Sequence, residues 1–241
     1  MVLPRLYAIL DAGCFPDADA MFAAAEELAA AGCTLIQYRN KTGNSRVMLE
    51  QARELRRRLS RPNAAKNAAA GWGTRNPIPQ SLDSDFSQNR GEVGHPLQSS
   101  VGLIMNDRAD LCLAADFDGV HVGQEDLSPE SVRRIIDPDR RLGVSTHNPE
   151  QLREADSTSA DYLAIGPVFA TSSKQNPDPV VGLAGVRRAR ALTRKPLVAI
   201  GGITRANAAS VIEAGADSVA VISDLLRDPG KSAEEFFRIL R

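Results

Sequence analysis

The chain has 241 residues, long for one ordinary domain but normal for one barrel-type α/β domain. Hydrophobic residues make up 43% and charged ones 24%, a mixture rich enough in apolar side chains for a sizeable core, which excludes a disordered or fibrous chain. The net charge is −1 and no Lys/Arg stripe is interleaved with aromatics, which speaks against nucleic acid as a partner and confines any anion site to a local cluster.

Cys14, Cys33 and Cys112 are widely spaced and form no CxxC pair, so a disulfide framework or structural zinc site is not expected, and reduced thiols in a cytoplasm fit best. The opening MVLPRLYAIL is too short for a signal-peptide apolar region. No apolar run approaches the roughly 20 residues that span a bilayer, so no membrane association is expected.

Short runs rich in Val, Ile, Leu and Ala recur without polar alternation, the pattern of parallel strands buried on both faces. In chain order they are Leu6–Asp11, Thr34–Arg39, Val101–Asn106, Gly119–Val122, Arg141–Ser145, Tyr162–Pro167, Leu197–Gly201 and Ser218–Ser223. Segments of helical period lie between them, among them Asp17–Ala31, Asn44–Leu59 and a run opened by Thr204 that closes on Gly215. The stretches Ala30–Thr34 and Glu213–Asp217 echo each other, each delivering a helix into a strand. Eight β/α units predict a closed (β/α)8 TIM barrel in a single α/β domain, residues 1–241. The open doubly wound alternative is set aside, because Asp11-Ala12-Gly13-Cys14-Phe15 carries no GxGxxG after the first strand. Residues 61–100, from Arg61 to Ser100, break the rhythm: rich in Pro, Gly, Asn and Ser, they read as a low-order insertion between the second helix and third strand, on the N-terminal face. Trp72, Ile78 and Leu82 are its apolar points, where contact with a second copy would be made, so a homo-oligomer is compatible with the sequence.

Barrel chemistry sits at the C-terminal ends of strands. After the second strand, Gln37, Arg39 and Lys41 alternate to one side, and two cations with an amide suit a diphosphate and a heterocycle; a solvated strand end reads the same way. Asn106-Asp107 ends the third strand, and His121-Val122-Gly123-Gln124-Glu125-Asp126 runs through the end of the fourth. Asp107 and Asp126 thus leave adjacent strands at one rim, a pattern open to Mg2+ and equally to helix capping, with Glu125 a competitor for the metal. His121 reads as a packed, satisfied histidine. Ser145 suits a phosphate contact or a cap. Thr171-Ser172-Ser173-Lys174 forms a hydroxyl-rich loop with a lysine, fit to hold an anion or simply polar. Gly202, Ile222 and Ser223 follow strands seven and eight, where barrels place phosphates, and Gly202 lets a phosphate approach the backbone.

QYRNK, MNDR, GVHVGQED, LGVSTHN, GPVFATSSK, NPDPVVGLAG, VAIGGI and VAVIS occur in one order over nearly all of the chain outside residues 61–100. Together they closely resemble the thiamine-phosphate synthase family. The resemblance implies a transferase that condenses 4-amino-5-hydroxymethyl-2-methylpyrimidine diphosphate with a thiazole phosphate, by a dissociative mechanism assisted by Mg2+. It implies Gln37, Arg39, Lys41 and Asn106 as pyrimidine-diphosphate contacts, joined by Ser145 and Lys174. Arg39, Lys41, Ser145 and Lys174 would be the catalytic set, and Asp107 and Asp126 the metal ligands. Thr171, Ser172, Ser173, Gly202, Ile222 and Ser223 would hold the thiazole phosphate. The alternatives are a thiazole tautomerase on the same scaffold, which would not need the metal and diphosphate set, and a non-catalytic phosphate-binding barrel.

Overall fold

The computed structural model describes residues 2–60, 101–171 and 178–241. The insertion expected over residues 61–100 lies outside the described residues, as do Ser172, Ser173 and Lys174. Eight parallel strands close into a barrel in sequence order: β1 (Leu6–Asp11), β2 (Leu35–Arg39), β3 (Gly102–Asn106), β4 (Gly119–Val122), β5 (Arg141–Thr146), β6 (Tyr162–Ile165), β7 (Leu197–Ile200) and β8 (Ser218–Val221), with β8 pairing back onto β1. The helices are α1 (Ala18–Ala30), α2 (Ser45–Leu59), α3 (Ala109–Ala114), α4 (Pro129–Ile135), α5 (Pro149–Asp156), α6 (Gly182–Leu192), α7 (Ala208–Glu213), α8 (Ser223–Leu226) and α9 (Pro229–Ile239). Among the described residues no helix is long and apolar enough to cross a membrane.

Strand parity divides the core into two shells. On β1, Leu6, Ala8 and Leu10 face the helices and join the large outer cluster, while Tyr7 and Ile9 point into the barrel. The inner cluster continues with Leu35, Ile104, Tyr162, Ala164, Val198 and Ala220. Helix starts are fixed by side-chain caps: Asp17 accepts from Ala20 N at 2.8 Å, Asn44 from Val47 N at 3.0 Å and Asn148 from Gln151 N at 2.9 Å. The two echoing stretches turn the same way, with Gly32 and Gly215 both at positive φ. The helix expected from Thr204 begins only at Ala208, because Asn207 Oδ1 accepts from Thr204 N at 2.8 Å and holds residues 204–207 in a turn. Strands β6, β7 and β8 stop one or two residues before the expected ends, where the chain peels away to build the mouth.

One device recurs on the N-terminal face. Asp118, just before β4, accepts from Leu103 N of β3 at 2.7 Å and pairs with Arg56 of α2 at 2.9 Å. Asp161, before β6, accepts from Leu142 N of β5 at 2.7 Å and pairs with Arg133 of α4 at 2.7 Å. Asp217, before β8, accepts from Leu197 N of β7 at 2.8 Å and pairs with Arg190 of α6 at 2.7 Å. Each clasp gives a partner to a strand-edge amide and ties a helix to two strands. The matching place before β2 is held by Thr34. Replacing Asp161 with Ala removes the acceptor of both donors and should cost about 2 kcal/mol. The corresponding fall in melting temperature is about 4–8 °C, and thermal unfolding of purified protein measures it.

Candidate active site

The floor of the mouth is polar although it is buried. Gln37, Tyr7, Tyr162 and His121, from β2, β1, β6 and β4, are all at most 8% exposed. Gln37 Nε2 donates to the Tyr7 hydroxyl at 2.9 Å, and the hydroxyls of Tyr7 and Tyr162 lie 3.0 Å apart. His121 Nδ1 is 3.0 Å from the Tyr162 hydroxyl, and its Nε2 is 2.8 Å from Ser145 Oγ on β5. Burial pushes both phenols well above their ordinary range and lowers the imidazole to about 4. His121 is thus the satisfied, packed histidine that its position in the strand predicts, and it also links Tyr162 to the candidate site residue Ser145. Gly143 makes room for this layer: a Cβ there would stand 2.1 Å from Tyr162 Cζ and 2.4 Å from His121 Nδ1.

Above the floor lie two ion pairs. Arg39, last in β2, pairs with Asp11, last in β1, whose other oxygen accepts from Gly13 N at 3.1 Å. Lys41 pairs with Asp107, just past β3. Gln37, Arg39 and Lys41 therefore do share the mouth side, whereas Tyr38 turns to the helices and donates to Gln51 Oε1 at 2.5 Å. Asp107 is not a helix cap. Arg108 takes that place before α3 without a side-chain bond, and Asp107 sits at φ 62° with its carboxylate turned to the rim. Burial raises the Asp107 carboxyl, Lys41 pulls it down, and the neighbouring Asp126 raises it again. Asp126 meanwhile closes its own loop by accepting from Gly123 N at 2.8 Å.

This rim fits a divalent cation. Two carboxylates within reach of each other face one lysine, which leaves one negative charge uncompensated. No cluster of three or more His, Cys, Asp or Glu is present among the described residues. That sparse donor set matches Mg2+, which typically takes one or two carboxylates and fills its shell with water and phosphate oxygen. Glu125 is exposed, and no contact ties it to this pair.

The opposite rim is built from loops. Thr171 ends the described part of the loop after β6, whereas Asn106 ends β3 beside Asp107, on the inward parity of Ile104. Gly202 stands at φ 62°, and a Cβ there would lie 2.5 Å from Ala170 O and 2.8 Å from Phe169 Cβ. Only glycine fits between the loops after β6 and β7. Ile222 leans on the inner cluster, and Ser223 opens α8. Arg205 binds these rim pieces together: its backbone N and side chain both donate to Asp224, and its guanidinium also pairs with Glu235. Sequence reasoning did not single out Tyr7, Asp11 and Tyr162. Their signal is parity, since all three fall on inward positions of strands that otherwise carry apolar residues.

A family model described as thiamine monophosphate synthase matches residues 95–225. The thiamine-phosphate synthase of Koribacter versatilis (strain Ellin345) is 52% identical over 241 residues, covering 99% of this chain and 96% of the relative. That of Chloroflexus aurantiacus is 39% identical over 219 residues, covering 91% and 83%. The solved thiamine phosphate pyrophosphorylase of Pyrococcus furiosus superposes with a TM-score of 0.73 at 30% identity, over 98% of this chain and 95% of that one. With relatives this similar aligned from end to end, and the barrel shared with a solved member, the chain belongs to the thiamine-phosphate synthase family.

Proposed function

We propose that the chain uses its mouth to join 4-amino-5-hydroxymethyl-2-methylpyrimidine diphosphate to a thiazole phosphate, giving thiamine phosphate and diphosphate. As a member of its family the chain is a transferase. The observation that carries the site reading is the rim pairing of Arg39 with Asp11 and of Lys41 with Asp107, beside Asp126. It places two cations and three carboxylates over a buried amide, a combination suited to a magnesium diphosphate on a heterocycle.

The reaction breaks the bond between the pyrimidine methylene and the diphosphate oxygen, and forms one from that carbon to the thiazole nitrogen. The bonding pair leaves with the diphosphate, and the electron-rich aminopyrimidine supports the positive charge left on carbon. Arg39 and Lys41 donate charge-assisted hydrogen bonds to the departing oxygens. Asp107 and Asp126 would hold Mg2+, which when bound adds positive charge against the leaving diphosphate. Gln37 and Asn106 hold the ring, with Ser145 and Lys174 as further contacts to the same substrate. Thr171, Ser172, Ser173, Gly202, Ile222 and Ser223 anchor the thiazole phosphate and so aim its nitrogen at the carbon. That nitrogen attacks with a lone pair and carries no proton, so no general base is required. Free thiols at Cys33 and Cys112, both buried, are in keeping with a cytoplasmic setting.

Purified protein incubated with both substrates and Mg2+ should form thiamine phosphate and diphosphate in equal amounts, read by chromatography. Folded protein that binds both substrates yet yields no product at saturating Mg2+ overturns this reading.

A further inference from the structure

The five groups on the floor form one unbroken hydrogen-bonded chain across the barrel, Gln37–Tyr7–Tyr162–His121–Ser145, and its protons can be counted. Gln37 Nε2 can only donate, so the Tyr7 oxygen accepts there and its single proton goes to Tyr162. Tyr162 is then left with one proton, which goes to His121 Nδ1. An imidazole that accepts at Nδ1 carries its own proton on Nε2, the nitrogen facing Ser145 Oγ. Ser145 accepts that proton's hydrogen bond, so its hydroxyl proton is free to leave the chain. At the other end, committing Nε2 to Tyr7 leaves Gln37 Oε1 as the amide's acceptor. Both ends of the chain are residues assigned above to the pyrimidine substrate; its three middle members are not.

We propose that Tyr7, Tyr162 and His121 are positioning residues: their one-way hydrogen-bond chain holds Gln37 with Oε1 offered to the ligand and aims the Ser145 proton at it. The mouth thereby selects a ring bearing an amino donor over one that lacks it. This rests on the substrate reading given above. An isolated glutamine amide can turn over and offer either end, so it does not distinguish a donor from an acceptor. Tied to Tyr7 it cannot turn without leaving two acceptors, Oε1 and the Tyr7 oxygen, facing each other in a buried space. The space is built for the chain, because the position beside Tyr162 and His121 is Gly143, where any side chain would collide with both rings. Burial keeps both phenols protonated, and so keeps each of them a donor.

Two measurements test the chain independently. The first is the tautomer of His121 in 15N-histidine-labelled protein, assigned among the three histidines by the signal lost in His121→Gln. The expected form carries its proton on Nε2 with Nδ1 an acceptor. A proton on Nδ1 would reverse the links of His121 to Tyr162 and to Ser145 and overturn the proposal, whatever the enzyme's activity. The second is equilibrium binding of the aminopyrimidine diphosphate, and of the same molecule with hydrogen in place of the ring amine, with Mg2+ and no thiazole. Wild type should prefer the amino compound by about 10-fold or more, and Tyr7→Phe should shrink that preference to about 2-fold while the deamino compound binds as before. The KM for the thiazole phosphate should not change. An undiminished preference, or equal loss for both ligands, overturns the proposal. Should Tyr7→Phe fail to fold, Tyr162→Phe breaks the next link and carries the same expectation. Wild-type protein that binds neither pyrimidine overturns the substrate reading instead, and the tautomer then stands as a separate result.

Discussion

Asp107→Asn should lower turnover by about 100-fold or more and raise the Mg2+ concentration needed for half-maximal rate. A rim with two carboxylates loses half its anionic donors when one becomes an amide. Asparagine is the informative substitution because Asp107 lies at φ 62°, a left-handed backbone that Asn tolerates and Ala resists. An alanine variant would mix backbone strain with loss of the ligand. The fold should stand, since the Lys41 side chain is 51% exposed and its released charge returns to water. Asp126→Asn should act the same way while its Oδ1 still accepts from Gly123 N. Steady-state rates against Mg2+ concentration decide the matter, with a melting curve as control. Full turnover with an unchanged Mg2+ dependence would remove the substituted residue from the metal site.

Gly143→Ala should be strongly destabilising, costing about 3 kcal/mol or more. The added carbon meets Tyr162 Cζ at 2.1 Å and His121 Nδ1 at 2.4 Å, and both rings are held in place by their own hydrogen bonds. Moving either ring opens a gap in the buried chain, so overpacking and an unsatisfied donor arise together. For a chain of this size that corresponds to a melting temperature lower by about 6–12 °C. A midpoint within about 2 °C of wild type would show that the inner layer yields, against the rigid packing described above.

The barrel was legible because parallel strands under helices are buried on both faces and leave short, unalternating apolar runs. All eight stand within two residues of where the sequence places them. The Thr204 helix was misjudged because Thr204 looks like a cap, while the side chain that shapes the turn belongs to Asn207, three residues on. Parity also put Gln37, Arg39 and Lys41 on one side, as the contacts of the first with Tyr7, the second with Asp11 and the third with Asp107 bear out. Asp107 was ambiguous between cap and ligand in the sequence; the structure gives the cap position to Arg108, and the metal role remains part of the proposal. The buried chain was not legible. Two tyrosines and a histidine, each inside an apolar strand, look like ordinary core residues until the closed barrel brings 155 residues of separation down to a 3.0 Å contact.

The three Asp–Arg clasps bear on how the molecule can be divided. Each joins an even-numbered helix, the strand after it and the start of the next even-numbered strand, so a clasp lies wholly on one side of any break made in an even-numbered strand's mouth loop. A break after Gln124, beyond β4, leaves Arg56, Leu103 and Asp118 in one piece and both other clasps in the second. The β4–β5 and β8–β1 strand seams must then re-form between the pieces, together with the contacts of Tyr7 and His121 with Tyr162 and of His121 with Ser145. The barrel is in this sense two self-fastened halves, and co-expressed fragments cut there are the pair expected to complement each other.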